Sequence, residues 1–145
     1  MAEALRQAQI AANKDEVPVG ALVVLEGKII AAAHNQNRES VDPTAHAEII
    51  ALRMASITKN SSRLDDCDLY VTLEPCAMCA AAISLARIRN VFYACSDAKF
   101  GAVENGVKFF NSKSCYHKPE VYSGIAEDEA KKMLQDFFEK KRVNK

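Results

Sequence analysis

The chain has no tryptophan, and only five glycines and four prolines in 145 residues. That scarcity excludes a collagen-like or low-complexity chain. With 49% of residues apolar and 26% charged, the composition is that of a packed globular domain, and the length suits one core. Formal net charge is also absent, so no overall field draws the protein to nucleic acid or to a membrane surface. Any contact with phosphates must come from a local patch. Long apolar runs are missing too. The longest, Val19–Leu25 and Ile29–Ala33, are strand-sized and cannot span a bilayer. The opening Met1-Ala2-Glu3-Ala4-Leu5-Arg6 lacks the basic-then-apolar order of a secretory signal. Five cysteines, at 67, 76, 79, 95 and 115, are an odd number and read as reduced thiols rather than a disulfide framework. The expectation is a single cytoplasmic domain over residues 1–145, with no membrane association.

What is present is an alternation of strand and helix patterns. Residues 2–13 are Ala-rich and amphipathic, a short helix. Val19–Leu25 and Lys28–Ala33 flank Glu26-Gly27 and read as a β-hairpin. Asp42-Pro43-Thr44 supplies a helix start, with Asp42 or Thr44 as cap, ahead of a helical segment Ala45–Ile57. Leu69–Leu73 is a strand, Pro75 suits the first position of the helix that runs to Ala86, and Asn90–Cys95 is a strand after it. Together they predict a parallel strand–helix–strand unit. A short helix near Val107–Phe110, a last strand at Glu120–Ser123 and a final helix over Ile125–Arg142 complete the chain. The final helix carries Ile125, Met133, Leu134, Phe137 and Phe138 on its apolar side. The order implies a layered α/β sandwich.

Chemistry concentrates in Glu74-Pro75-Cys76-Ala77-Met78-Cys79. Cys76 and Cys79 are three apart at a helix start, where free amides and the helix dipole favour thiolates. On this stretch alone a redox pair, half of a structural zinc site and two buried apolar cysteines remain open. One of only three histidines, His46, lies upstream in His46-Ala47-Glu48. Residues two apart do not share a helix face, yet at a helix start both side chains can point off the end toward one ligand. A His-x-Glu about thirty residues before a Pro-Cys-x-x-Cys is the known signature of zinc nucleobase deaminases. One imidazole and two thiolates balance the charge of zinc and leave a fourth position for water, whose pKa falls toward about 7. His46, Cys76 and Cys79 are therefore the expected ligands of one catalytic Zn2+. Glu48, not a ligand, is the expected proton shuttle. A structural site would need a fourth protein ligand; Cys67 and Cys95 are available but have no partner at ligand spacing.

Over nearly the whole chain the sequence resembles the bacterial tRNA-specific adenosine deaminases. The matching stretches are Glu16–Gly20, Asp42–Glu48, Tyr70–Cys79, Ser96-Asp97-Ala98-Lys99 with Gly101, and Asp136–Arg142. The resemblance implies a cytidine-deaminase-like three-layer α/β/α sandwich with a mixed five-stranded sheet, and a homodimer. It also implies hydrolysis of the wobble adenosine to inosine in a tRNA anticodon loop, on a flipped-out base. By position, Asn35 and Ala47 would contact the base, Val17 and Pro18 would wall its pocket, and Asp97, Lys99 and Phe138 would contact nucleotides. Two positions depart from the pattern: His34, where an aromatic is usual, and Phe100, where threonine is common. The zinc motif is shared with enzymes acting on cytosine, guanine and dCMP, so deamination of a free base or nucleoside is the alternative. The last fifteen residues hold six cations, Lys131, Lys132, Lys140, Lys141, Arg142 and Lys145, against Asp136 and Glu139. They form either a solvated helix end or a phosphate-contacting patch with a phenylalanine for stacking.

Overall fold

The structure, a computed structural model, describes residues 1–144. Strand β1 (Gly20–Leu25) turns through Glu26 and Gly27 into β2 (Lys28–His34). Both turn residues have positive φ, 50° and 78°, the twist that a two-residue hairpin requires and that glycine tolerates at no steric cost. A register shift at Val23/Val24 adds a bulge to the pair. β3 (Cys67–Leu73) lies antiparallel to β1, whereas β4 (Asn90–Cys95) and β5 (Glu120–Ser123) continue parallel to β3. The sheet order is β2-β1-β3-β4-β5. β3 is thus the strand at which the sheet changes sense. Crevices at the carboxyl ends of parallel strands are the usual place for a ligand.

Four helices cover the sheet. α1 (Ala2–Asn13) and α4 (Glu127–Val143) pack on one face, and α2 (Ala47–Lys59) and α3 (Ala77–Ala86) on the other. Period-two burial in β3 explains the layering. Cys67, Leu69 and Val71 are fully buried against Ala51 and Ala55 of α2 and Ala80 and Ile83 of α3. On the other face Leu5 of α1 and Ala130 of α4 meet Ala94 and Cys95. The alternate residues Asp68 and Tyr70 are only half-buried, on the face toward α1 and α4.

The hairpin, the parallel strand–helix–strand unit and the strand at Glu120–Ser123 form as expected. Several boundaries do not. Asp42 and Thr44 do not cap α2: the Asp42 carboxylate accepts from the Thr44 N–H and hydroxyl, closing a turn, and the N-cap is His46. Pro75 is not the first residue of α3, which begins at Ala77 with Cys76 as N-cap. The short helix is a single 3-10 turn at Phe109–Asn111. Ile125 precedes α4, whose one fully buried residue is Ala130, with Met133, Leu134 and Phe137 only half-buried.

Truncating a side chain at the centre of the larger core leaves a cavity that close packing cannot refill. Leu69→Ala is expected to cost about 2–5 kcal/mol. The check is a lower denaturant midpoint at unchanged slope in chemical unfolding.

Candidate metal centre

Two helix starts meet beyond the carboxyl end of β3. His46 and Cys76 are the N-caps of α2 and α3, and both have extended backbone (φ −75°, ψ 151° and φ −74°, ψ 176°). Neither makes a side-chain bond to its own helix. An N-cap side chain normally accepts from the first-turn amides; here both project away toward each other. His46 Nδ1 lies 3.6 Å from Cys76 Sγ and 3.5 Å from Cys79 Sγ. The three donor atoms sit within 4.8 Å of one another, the only such group of His, Cys, Asp and Glu among the described residues. One nitrogen and two sulfurs converging from two rigid helix ends fit a borderline-soft ion of tetrahedral habit. Cys67 and Cys95, the other conceivable ligands, stand apart: Cys67 bonds Asp66 and Cys95 bonds the Ser96 carbonyl.

The electrostatics suit cation capture. The Cys79 thiol and the His46 ring beside Cys76 stabilise its thiolate, and its pKa falls to about 4. Cys79, donating to Cys76 and deeply buried, is held protonated well above the ordinary thiol range. The bond to Cys76 pushes His46 upward as well. Glu48 is 4% exposed, and burial raises its carboxyl to about 7, with the Cys79 thiol beside it. A carboxylic acid poised near neutrality next to the donor triad is placed to give and take a proton.

The remaining expected residues fall in two groups. Asn35 comes to the triad: its Oδ1 accepts the Ala47 N–H at 2.8 Å, capping α2 from another part of the chain. Ala47 is fully buried, Pro18 is buried and Val17 half-buried just before β1. Asp97, Lys99 and Phe138 lie further out, around a cleft of about 1110 Å³ between the Ser96–Phe100 loop and α4. Val17, Leu73, Lys131 and Arg142 also line this cleft, whereas the triad and Glu48 do not. Asp97 Oδ1 accepts the Lys99 and Phe100 amides, each at 3.0 Å, so it shapes the loop. Lys99 Nζ sits 5.1 Å over the Phe100 ring, which is 66% exposed. His34 is buried with Nδ1 3.3 Å from Gln7 Oε1, tying β2 to α1. Of the basic tail, Lys132 pairs with Asp136 at 2.8 Å and Lys141 with Asp15, while Lys145 lies outside the described residues. Sequence reasoning missed the capping role of Asn35 and the carboxylates of Glu16 and Glu74. Both glutamates are buried, and both hold backbone amides of distant loops.

A domain of this topology, with a His/Cys/Cys donor set and a buried glutamate beyond the end of its central strand, is a deaminase with the cytidine-deaminase-like fold. The chain belongs to the MafB19-like deaminase family, whose model matches residues 1–142, and within it to the tRNA-specific adenosine deaminases. It is 54% identical over 141 residues to the tRNA-specific adenosine deaminase of Agrobacterium fabrum, covering 97% of this chain and 93% of that protein. A structure from a study of A-to-I editing by tRNA:A34 deaminases at the wobble position superposes with TM-score 0.91 at 54% identity, covering 92% of this chain and 97% of that one. A guanine deaminase from Nitrosomonas europaea superposes with TM-score 0.80 at 23% identity over 94% of this chain and 81% of that one, a likeness of fold alone.

Filling the triad requires Cys79 to shed its proton, and at lower pH His46 to shed one too. Metal affinity should therefore rise with pH, by about tenfold per unit for one proton released and more steeply below the His46 pKa. Titrating metal-free protein with Zn2+ or Co2+ across neutral pH checks this; an affinity independent of pH would mean that Cys79 is already a thiolate.

Proposed function

We propose that the protein hydrolyses the wobble adenosine of a tRNA anticodon loop to inosine and ammonia, with one catalytic Zn2+ per subunit held by His46, Cys76 and Cys79. The observation that carries this reading is the buried Glu48 beside that donor triad, in a chain so similar to tRNA-specific adenosine deaminases over nearly its full length. Zinc in such a site lowers the pKa of a water toward about 7 and so supplies hydroxide at neutral pH. Glu48 would accept the proton lost by the water attacking adenine C6 and pass it to the neighbouring ring nitrogen; it would then take the proton of the new C6 hydroxyl and deliver it to the amine, which leaves as ammonia while C6 becomes a carbonyl. Its raised pKa matches that two-way task.

The chain's other residues bind and orient. Asn35 spends its oxygen on Ala47, which leaves its amide nitrogen to meet the base. Val17 and Pro18 wall one side of the base, and Ala47, having no side chain beyond Cβ, lets the ring come close. In the outer cleft Lys99, Lys131 and Arg142 surround Phe100 and Phe138, cations interleaved with exposed rings. That pattern suits a single-stranded loop, whose phosphates meet the cations and whose unstacked bases meet the rings. An anticodon loop is already unpaired, so extruding its base costs less than opening a duplex.

Two further features accompany this reading. Ile57 (81% exposed) and Leu85 (63% exposed) flank an apolar groove between α2 and α3, which supports a homodimer joined on that face. No helix among the described residues is long and apolar enough to cross a membrane, and all five cysteines are free, in keeping with a cytoplasmic enzyme.

Incubating the zinc-loaded protein with an anticodon stem-loop that carries adenosine at the wobble position, then sequencing for inosine, tests the assignment. Absence of inosine together with ammonia release from free guanine or cytosine would replace it with the small-substrate alternative. Glu48→Gln is expected to lower kcat by roughly 10²–10⁴-fold while zinc content stays at one per chain, measured by metal analysis.

A further inference from the structure

The carboxylate of Glu74, two residues before Cys76, is 2% exposed and pairs with no cation. It is instead saturated with neutral donors. Oε1 accepts from the Ser96 hydroxyl at 3.2 Å, the Asp97 N–H at 3.0 Å and the Asn105 side-chain amide at 2.7 Å. Oε2 accepts three consecutive backbone N–H groups, those of Val103, Glu104 and Asn105, at 3.1, 3.0 and 3.1 Å. Three successive amides converging on one oxygen form an anion-binding nest, here filled by a side chain of the same chain. Burial acts to raise the Glu74 carboxyl, but the donors, the Asp97 amide foremost, outweigh it and hold the group below its ordinary range.

The loop is built around this carboxylate. A Cβ on Gly101 would lie 2.5 Å from Glu74 Cδ and 2.4 Å from the Asp97 carbonyl oxygen, so only glycine lets the backbone come this close. The Ala102 N–H donates to the Pro75 carbonyl at 2.9 Å, a second tie to the residue next to Cys76. The segment held at both ends by Glu74, from Ser96 to Asn105, presents Asp97, Lys99 and Phe100 to the outer cleft.

We propose that Glu74 is a positioning residue for RNA binding: from the strand end that leads into the Cys76/Cys79 ligands, it fixes the loop that carries Asp97, Lys99 and Phe100. It belongs neither to the donor triad nor to the lining of the outer cleft. Loop contacts are made equally in the bound ground state and the transition state, so loosening the loop should raise KM and leave kcat nearly unchanged. The RNA part of this inference rests on the function proposed above.

In Glu74→Gln, whichever oxygen becomes an amide nitrogen, three donors lose their acceptor. The expected result is KM for the anticodon stem-loop raised about five- to twentyfold, kcat within about twofold, and zinc still one per chain. Amide hydrogen exchange at residues 97 and 103–105 should quicken by at least about tenfold while α2 and α3 stay protected. If Glu74→Gln does not fold, Asn105→Ala removes one donor of the same cluster and should raise KM in the same direction by about two- to fivefold. A loss of stability or of zinc at unchanged KM, in whichever variant folds, overturns the proposal and leaves Glu74 purely structural. If wild type makes no inosine, the functional reading fails instead, and the exchange measurement still decides whether Glu74 fixes the loop.

Discussion

Two helices begin at one point in this protein, and neither is capped by its own N-cap side chain. That constraint organises the rest. The first amides of α2 and α3 carry partial positive charge, which makes their meeting place hospitable to thiolates and carboxylates. Turning the His46 and Cys76 side chains away from their own amides gives up the usual capping bonds, each worth about 1 kcal/mol. The compensation comes from outside: Asn35 serves Ala47 in α2, and the core under Ala51, Ala80 and Ile83 locks both helices onto β3. The strand order makes this possible: β2 and β3 both pair antiparallel with β1, so they run in the same direction and the helices that follow them, α2 and α3, begin at the same end of the sheet.

The same arrangement sets the donor triad and Glu48 apart from the outer cleft. The donor triad and Glu48 lie among residues whose positions are set by two packed helix ends. The outer cleft is bounded by a loop and by α4, which presses on the sheet mainly through Ala130 and half-buried side chains.

Much of this could be read along the chain, for local reasons. Glu26-Gly27 announces the hairpin because the turn chemistry is contained in two residues. The strand at Glu120–Ser123 and the crossover unit around α3 follow from apolar runs and their spacing. The metal donors were legible because ligand chemistry restricts residue types severely. What escaped notice depends on residues far apart in sequence. Asp42 looked like a cap because cap signals are local, yet it closes a turn with Thr44, and the Ala47 amide at the actual helix start is met by Asn35. Pro75 looked like a helix start, but a cysteine that must face a metal took the N-cap position after it. Glu74 read as part of a cysteine motif; its donors lie 22 to 31 residues further on. Phe138 and Phe137 could not be sorted from adjacency alone, and neither is fully buried.

The bond from Asn35 to Ala47 has a consequence for how such a protein changes over time. One side chain, just past the end of β2, closes the amide beside His46 with its oxygen, and on the proposed function its nitrogen meets the base. A replacement that improved the fit to a new base would at the same moment uncap the helix that holds His46. On the proposed function, a change at position 35 would touch both base and helix, whereas the exposed Phe100 and Lys99 side chains at the outer cleft close no helix start. The residue nearest the base, on the proposed function, is also the one that closes the start of α2.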